Sequence, residues 1–333
     1  MSDIIEEKEI QFRSGSIRLS GSLNRHQHRS PGPLCLLLSG SGPQDRDQTV
    51  CGIPTFKALA EALTDAGYAV FRWDDRGVGE SDGDYLESNG QQLVDDAIAA
   101  LDHLCKVCSF EAIHLIGHSQ GTLVAPQVAL KRPDLVKSLV LLAGMALPGR
   151  NTLLEQHAAV LRADNWPVDV IDASVAQKAR VFDVLEGVPD TSLTPVETAR
   201  LRAALTQALL DEMPVSALNQ QQQAELNDSL DDLLEWEWRL LLKQDPARQL
   251  ARISTPVLAL FGDEDLQVNA IKHATALAEA LPAGLPQSIQ TLRGFNHLFQ
   301  QSEGSPPLDY SQDGPAFPEA ACRPIIDWLN RHS

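Results

Sequence analysis

Ala112-Ile113-His114-Leu115-Ile116-Gly117-His118-Ser119-Gln120-Gly121-Thr122-Leu123-Val124 is the stretch that decides the fold. Residues 112–116 form an apolar run of the kind that makes a buried strand, and the residues after Gly121 follow a helical pattern. Between them, Gly117-His118-Ser119-Gln120-Gly121 has the form of a nucleophile elbow, a sharp strand-to-helix turn. Glycines two positions to either side of Ser119 leave space where side chains would collide. The turn holds Ser119 in a strained backbone conformation and projects its hydroxyl above the C-terminal edge of a sheet. It also sets the Gln120 amide and the helix N-terminus beneath an incoming oxyanion. Pro126 removes one hydrogen bond from the following helix, which predicts a local kink rather than an end.

Similar apolar runs lie on both sides, at 34–38, 69–73, 138–142, 257–261 and 288–292, each ending at glycine or polar residues. Helical patterns fill 56–66, 92–105, 121–131 and 270–281, and this alternation argues for an α/β fold, a mostly parallel central sheet flanked by helices. Ahead of it, alternating Ile10, Phe12, Ile17 and Leu19 around Ser14-Gly15 predict a hairpin. The rhythm breaks between residues 143 and 255, where no convincing strand occurs. Helices are expected there over 153–163, 168–185, 195–210 and 226–242, broken at Pro167, Pro189, Pro214 and the polar stretch 219–223. Such a segment is expected to be a helical cap inserted into the core, giving 1–145 and 249–333 as the two parts of the core and 146–248 as the cap. Between Ala146 and Asp245 there are 17 acidic and 8 basic residues, a net charge of −9. The Pro-, Gly- and Ser-containing stretch 301–318 is expected to be an irregular loop before a final helix ending near Asn330.

A serine hydroxyl is a weak nucleophile at neutral pH, so a base must adjoin Ser119 and a carboxylate must orient that base. His297, in Gly294-Phe295-Asn296-His297 just past the last expected strand, is placed to bring an imidazole over the sheet edge. His26 and His28 fall in an N-terminal turn, and His103, His157 and His273 in helices, while His118 points away from the serine in an elbow and reads as a packed or hydrogen-bonded neighbour. The acid comes from Gly262-Asp263-Glu264-Asp265-Leu266-Gln267-Val268. Asp265 is favoured, with Val268 anchoring the loop, and Asp263 is the alternative, better suited to the turn itself. The order Ser119, Asp265, His297 is that of this elbow class. A second oxyanion donor is expected from Ser39-Gly40-Ser41-Gly42-Pro43, where small residues admit a close approach of backbone to substrate; Ser41 is favoured and Gly42 is the alternative. Arg46 with Asp45 and Asp47 is expected to form an ion-pair cluster shaping that loop, and Asp75 and Arg76 to take part in ion pairs at a structural turn.

These residues carry a resemblance. The segments Ser39-Gly40-Ser41-Gly42-Pro43-Gln44-Asp45-Arg46-Asp47 and Asp74-Asp75-Arg76-Gly77-Val78-Gly79-Glu80-Ser81, the elbow and Asn296-His297 resemble those of the α/β-hydrolase superfamily, in particular its cap-bearing bacterial carboxylesterases of the serine-aminopeptidase-like group. The resemblance spans roughly residues 9–329 and is weakest in the cap. It implies an α/β-hydrolase fold and hydrolysis of small or short-chain acyl esters through an acyl-enzyme, without a cofactor. Ser39 stands where many relatives have histidine before the oxyanion glycine. Peptidase or thioesterase chemistry on the same triad, or a binding protein on the same fold, are the rival readings.

Composition narrows the partners. With 45 acidic against 27 basic residues the chain carries a formal charge of −18, unsuited to nucleic acid, which needs clustered positive charge. At 43% hydrophobic and 22% charged residues it lies far from the composition of disordered chains. The acidic N-terminus lacks the basic start and apolar stretch of a signal peptide, and no apolar run approaches the ~20 residues of a membrane span. Five scattered cysteines suit reduced thiols. A cytoplasmic protein acting on a small-molecule ester is expected, of undetermined oligomeric state. Cys105-Lys106-Val107-Cys108 has no second pair, so no metal is implied, and Gly77, Gly79 and Gly83 lack the spacing of a dinucleotide fingerprint.

Overall fold

The computed structural model describes residues 4–27, 32–189, 193–210, 213–302, 308–311 and 313–333. His28 and part of the 301–318 stretch lie outside the described residues. The chain divides into two compact units, Met1–Leu147 with Asp245–Ser333, and Pro148–Gln244.

In the first unit, β1 (Ile5–Ser14) and β2 (Ile17–His26) form the expected hairpin, turning at Gly15 with φ +58°. They are followed by β3 (Leu34–Leu38), a small ribbon of β4 (Thr49–Val50) and β5 (Ile53–Pro54), α1 (Thr55–Asp65), β6 (Ala69–Trp73), α2 (Gly90–Val107), β7 (Ile113–His118), α3 (Gly121–Lys131) and β8 (Val136–Leu142). The second unit, Pro148–Gln244, follows in the chain. The chain then returns through α9 (Pro246–Leu250), β9 (Val257–Gly262), α10 (Ala270–Ala280), β10 (Gln287–Leu292) and α11 (Glu319–His332).

The main sheet has the order β1-β2-β6-β3-β7-β8-β9-β10, antiparallel at β1-β2-β6 and parallel from β6 to β10. Strands β3, β6 and β9 are buried along their whole length, which is why β3 and β9 read as unbroken apolar runs rather than alternating ones, while the one charge in β6, Arg72, is paired with Asp47 and Glu7. Helix α2 is capped by Asn89, whose side chain accepts from the Gln92 amide, and buries Val94, Ala97, Ala100, Leu101 and Leu104 at helical spacing. Helix α3 continues through Pro126 to Lys131.

The topology locates the chemistry. From β3 the chain crosses to β6 on one side, and from β6 it returns to β7 on the other side of β3. The loops leaving the C-terminal ends of β3 and β7 therefore diverge at a topological switch point, where open α/β sheets form their binding crevice. The Ser39-Gly40 loop and Ser119 stand at these two ends.

One expected ion-pair arrangement is corrected. Arg46 does not pair with its neighbours. Its guanidinium meets Asp74 through Nε at 3.1 Å and Nη2 at 2.6 Å, and also meets Glu9, while Asp47 pairs with Arg72 at 2.8 Å. Arg76 takes part in an ion pair as expected, held at two points by Asp96 of α2, and Asp75 accepts hydrogen bonds from the Ser39 hydroxyl and the Gln44 amide. Consecutive residues in tight turns point apart, so Arg46 and Asp47 find different partners, Asp74 and Arg72, rather than each other.

The second unit is helical: α4 (Gly149–Ala163), α5 (Val168–Glu186), α6 (Pro195–Leu210), a 3₁₀ turn Val215–Ala217, α7 (Gln220–Leu234) and α8 (Trp236–Lys243). Leu153, Phe182, Leu185, Leu205, Leu230 and Leu242 form its core. Its ends meet where the Gly149 N–H donates to the Gln244 carbonyl at 2.9 Å. The helix expected over 226–242 is two helices, broken at Glu235, whose ψ of 142° is extended. The polar 219–223 stretch, expected as a break, instead starts α7. Asn219 forms a reciprocal capping box with Gln222, so the polarity that resembles a linker is that of a helix N-terminus.

Candidate active site

Ser119 follows the last residue of β7 and lies in the left-handed region at φ +51°, a costly conformation for a residue with a side chain and one that clusters at functional sites. The glycines permit it. A Cβ on Gly117 would collide with the Gly121 carbonyl, and a Cβ on Gly121 with the Leu38 carbonyl at the end of β3. The Ser119 amide is tied to the Leu142 carbonyl at 2.9 Å, which anchors the elbow to the tip of β8.

The loop after β3 closes on the elbow from the other side of the crevice. A Cβ built on Gly40 would stand 3.5 Å from that of Ser119. The Gly40 amide is already engaged, donating to Gln48 Oε1 at 2.7 Å. The amides of Ser41 and Gln120 have no acceptor among the described residues, so both are available to a ligand. Gly42 adopts φ +81°, which suits glycine at the turn.

The loops after β9 and β10 bring Asp265 and His297 together. Asp265 Oδ1 accepts from the amides of Gln267 at 2.7 Å and Val268 at 2.9 Å, and its Oδ2 lies 2.8 Å from His297 Nδ1. Both side chains are buried. Bonded to a carboxylate, Nδ1 carries the proton, which leaves Nε2 with a free lone pair. Asp263 takes the turn position: its Oδ1 accepts from the Gly294 amide at 2.5 Å and so joins the two loops. Among the described residues no hydrogen bond links the Ser119 hydroxyl to His297. Apo sites often have long catalytic bonds that tighten when substrate binds.

His118 is buried beside this group, its ring 4.8 Å from that of His297. Its Nδ1 meets Gln48 Nε2 at 3.0 Å and its Nε2 meets the His297 carbonyl at 2.8 Å. Burial, and then the neighbouring His297, push its pKa down to about 3, so it is neutral at pH 7. Asp74, beneath the loop after β3, has its carboxyl held below the usual range; burial alone would raise it, and the bonds from Arg46 outweigh that.

Several residues support the site in roles that sequence patterns do not assign. Asn296 wires the turn that presents His297: its Oδ1 accepts from the amides of Leu298 and Gln300, and its Nδ2 donates to Gln300 and Asp313. Gln267 donates to the Tyr310 hydroxyl at 2.8 Å. Gln48 is buried and bonded on both sides of its amide. Asn296 and Gln48 share one signal, a polar residue too buried for a loop, which only the three-dimensional fold reveals. Among the described residues no group of three or more His, Cys, Asp or Glu is placed to hold a metal ion, and no helix is long and apolar enough to cross a membrane.

A strained serine at the switch point of a mostly parallel sheet, with an Asp–His pair on the loops after its last two strands, is the arrangement of an α/β-hydrolase. Residues 53–230, more than half of the chain, match the family described as serine aminopeptidase, S33, and the chain belongs to that family. The matched span contains Ser119 and ends before Asp265 and His297. Esterase EstD of Thermotoga maritima is 24% identical over 310 residues, covering 93% of this chain and 64% of that protein. A 2-hydroxy-6-oxononadienedioate/2-hydroxy-6-oxononatrienedioate hydrolase of Pseudomonas sp is 28% identical over 155 residues, 46% of this chain and 51% of that one. The chain thus spans less than two thirds of the length of these curated relatives. Among solved structures, Est1E from Butyrivibrio proteoclasticus with ferulic acid bound aligns at a TM-score of 0.57 and 17% identity, over 97% of this chain and 98% of that one. Proline iminopeptidase from Mycobacterium smegmatis aligns at 0.58 and 16%, over 98% of each chain. At such identities the likeness is one of fold.

Proposed function

We propose that the chain is a serine carboxylesterase acting on small or short-chain acyl esters, with Ser119, His297 and Asp265 as its triad and the Pro148–Gln244 unit as its cap. The observation that carries this reading is the buried Asp265–His297 bond, on loops following the strands beyond a strained Ser119. Ser119 Oγ forms a bond to the ester carbonyl carbon while its proton passes to His297 Nε2. The oxygen, now negative, is held by the Gln120 and Ser41 amides. Collapse breaks the bond to the leaving alkoxide, which takes the proton from His297. Water then repeats the sequence and releases the acid. Asp265 fixes the His297 tautomer and stabilises its charged form. The relative named as an esterase, similar over 93% of this chain, supports the ester reading.

The family's description favours a second reading, hydrolysis of a peptide bond at a free amino terminus. A panel of p-nitrophenyl esters, an acyl-CoA and an aminoacyl-naphthylamide separates ester, thioester and peptide chemistry. Turnover of the short esters, with an organophosphonate labelling Ser119 and abolishing it, is the expected outcome. Turnover of the naphthylamide alone would replace the ester reading, and full activity in Ser119→Ala would end both.

A further inference from the structure

Gln48 lies ten residues past the end of β3, outside the proposed mechanism, yet its side chain is the hub of a closed set of buried hydrogen bonds. Its backbone is held at φ +46°, a strained value for a residue with a side chain. Its N–H donates to the Asp45 carbonyl at 2.9 Å, and its own carbonyl accepts from the Thr55 hydroxyl at 2.9 Å. The residue is 1% exposed.

The chemistry of each atom fixes the direction of every bond. The Gly40 amide can only donate, so the Gln48 atom facing it at 2.7 Å is the carbonyl oxygen. The other end is then the NH2 group, with two hydrogens. One goes to Thr55 Oγ1 at 2.9 Å, whose own hydrogen is committed to the Gln48 carbonyl. The second goes to His118 Nδ1 at 3.0 Å, which must accept. A neutral ring that accepts at Nδ1 carries its proton on Nε2, and that proton reaches the His297 carbonyl at 2.8 Å. No donor faces a donor anywhere along the chain. A charged His118, or the opposite tautomer, would set an N–H against the Gln48 NH2 group.

We propose that Gln48 and His118 are positioning residues that lock the oxyanion loop, the elbow and the His297 loop in one register. One end of the bridge is the amide preceding Ser41; the other is the backbone carbonyl of the base itself, and the middle is the residue before the nucleophile. A displacement of about 1 Å between reacting groups costs on the order of 100-fold in rate, so a bridge spanning all three has direct leverage on turnover. The proposal rests on Ser119 and His297 being the reacting pair.

Two measurements test it. In the unaltered enzyme, ¹⁵N-histidine NMR at pH 7 is expected to show His118 neutral with its proton on Nε2. A proton on Nδ1, or a charged ring, overturns the bridge independently of any activity. In Gln48→Met, which keeps the side-chain length and removes both polar ends, kcat for p-nitrophenyl butyrate is expected to fall by on the order of 100-fold. KM should stay within about threefold, and affinity for a trifluoromethyl ketone should fall with kcat/KM, since transition-state contacts are what the bridge aligns. A merely structural Gln48 would lower the melting temperature and leave kcat per folded enzyme unchanged, which sinks the proposal. If Gln48→Met does not fold, Gln48→Asn, one methylene short at both contacts, carries the same kinetic readout. Ser119→Ala separates the two claims: activity there ends the triad assignment, whereas an inactive Ser119→Ala beside a fully active Gln48→Met leaves the triad standing and removes the bridge.

Discussion

Asp265 and Asp263 are two residues apart, and their hydrogen bonds give them different work. Asp265 takes two backbone amides on one oxygen and His297 Nδ1 on the other, so its geometry is fixed before any substrate arrives. Asp263 ties one loop to the next through the Gly294 amide. Asp265→Asn is therefore expected to lower kcat by on the order of 10⁴-fold, because an amide favours the wrong imidazole tautomer and cannot stabilise the imidazolium. Asp263→Asn keeps an acceptor for Gly294 and is expected to stay within about tenfold of the parent, as for a lost supporting contact. Steady-state kinetics of the two variants decide the assignment, and the reverse order would move the triad acid to Asp263. Both positions were candidates from the sequence because Gly262 marks a turn after an apolar strand and Val268 an anchor for the loop between. Gln48 was not, since a buried amide bonded across loops leaves no local pattern; its partners Gly40 and His118 are 8 and 70 residues away.

The strand-turn-helix element around Ser119 owes its geometry to backbone contacts that only glycine allows. Gly121→Ala would drive a methyl into the Leu38 carbonyl at the end of β3, where neither backbone can yield. A loss of about 3 kcal/mol or more in unfolding free energy is expected, at the upper end of overpacking penalties. Gly40→Ala places its methyl 3.4 Å from His118 Nδ1, an ordinary contact, and its urea midpoint should stay close to the parent's. Equal midpoints for both variants would show that the elbow relaxes around a side chain. The sheet was legible because β3 and β9 carry no polar side chain and end where polar residues begin. The helical unit was less so. Asn219 and its run of glutamines have the composition of a linker, and only the reciprocal cap with Gln222 turns them into a helix start. The break at Glu235 has no proline or glycine to announce it.

At the scale of the whole molecule, stability and substrate capture both depend on charge. Burial pushes the His114 pKa down to about 4, so the fold keeps it neutral. An unfolded chain takes up a proton on it below about pH 6.5, so the stability is complete above that pH and is lost as pH falls toward 4, by about 2 kcal/mol at pH 5. The urea midpoint should drop from pH 7 to pH 5, and the drop should shrink in His114→Asn. A drop unaltered by the substitution would assign it to other groups. The formal charge of −18, with −9 between Ala146 and Asp245, sets the field that a substrate meets. Under the cap reading, −8 of that charge lies on the Pro148–Gln244 unit that would border the entrance, so an anionic ester should be captured more slowly than a neutral isostere. Salt separates this repulsion from pocket chemistry. Between about 0.01 M and 0.1 M the Debye length falls from about 30 Å to about 10 Å, which screens distant charges and leaves contacts intact. Over that range kcat/KM for the anionic ester is expected to rise several-fold while that of the neutral isostere stays level. Identical salt slopes for the two esters would mean that the acids of the helical unit face away from the path of the substrate and serve solubility instead.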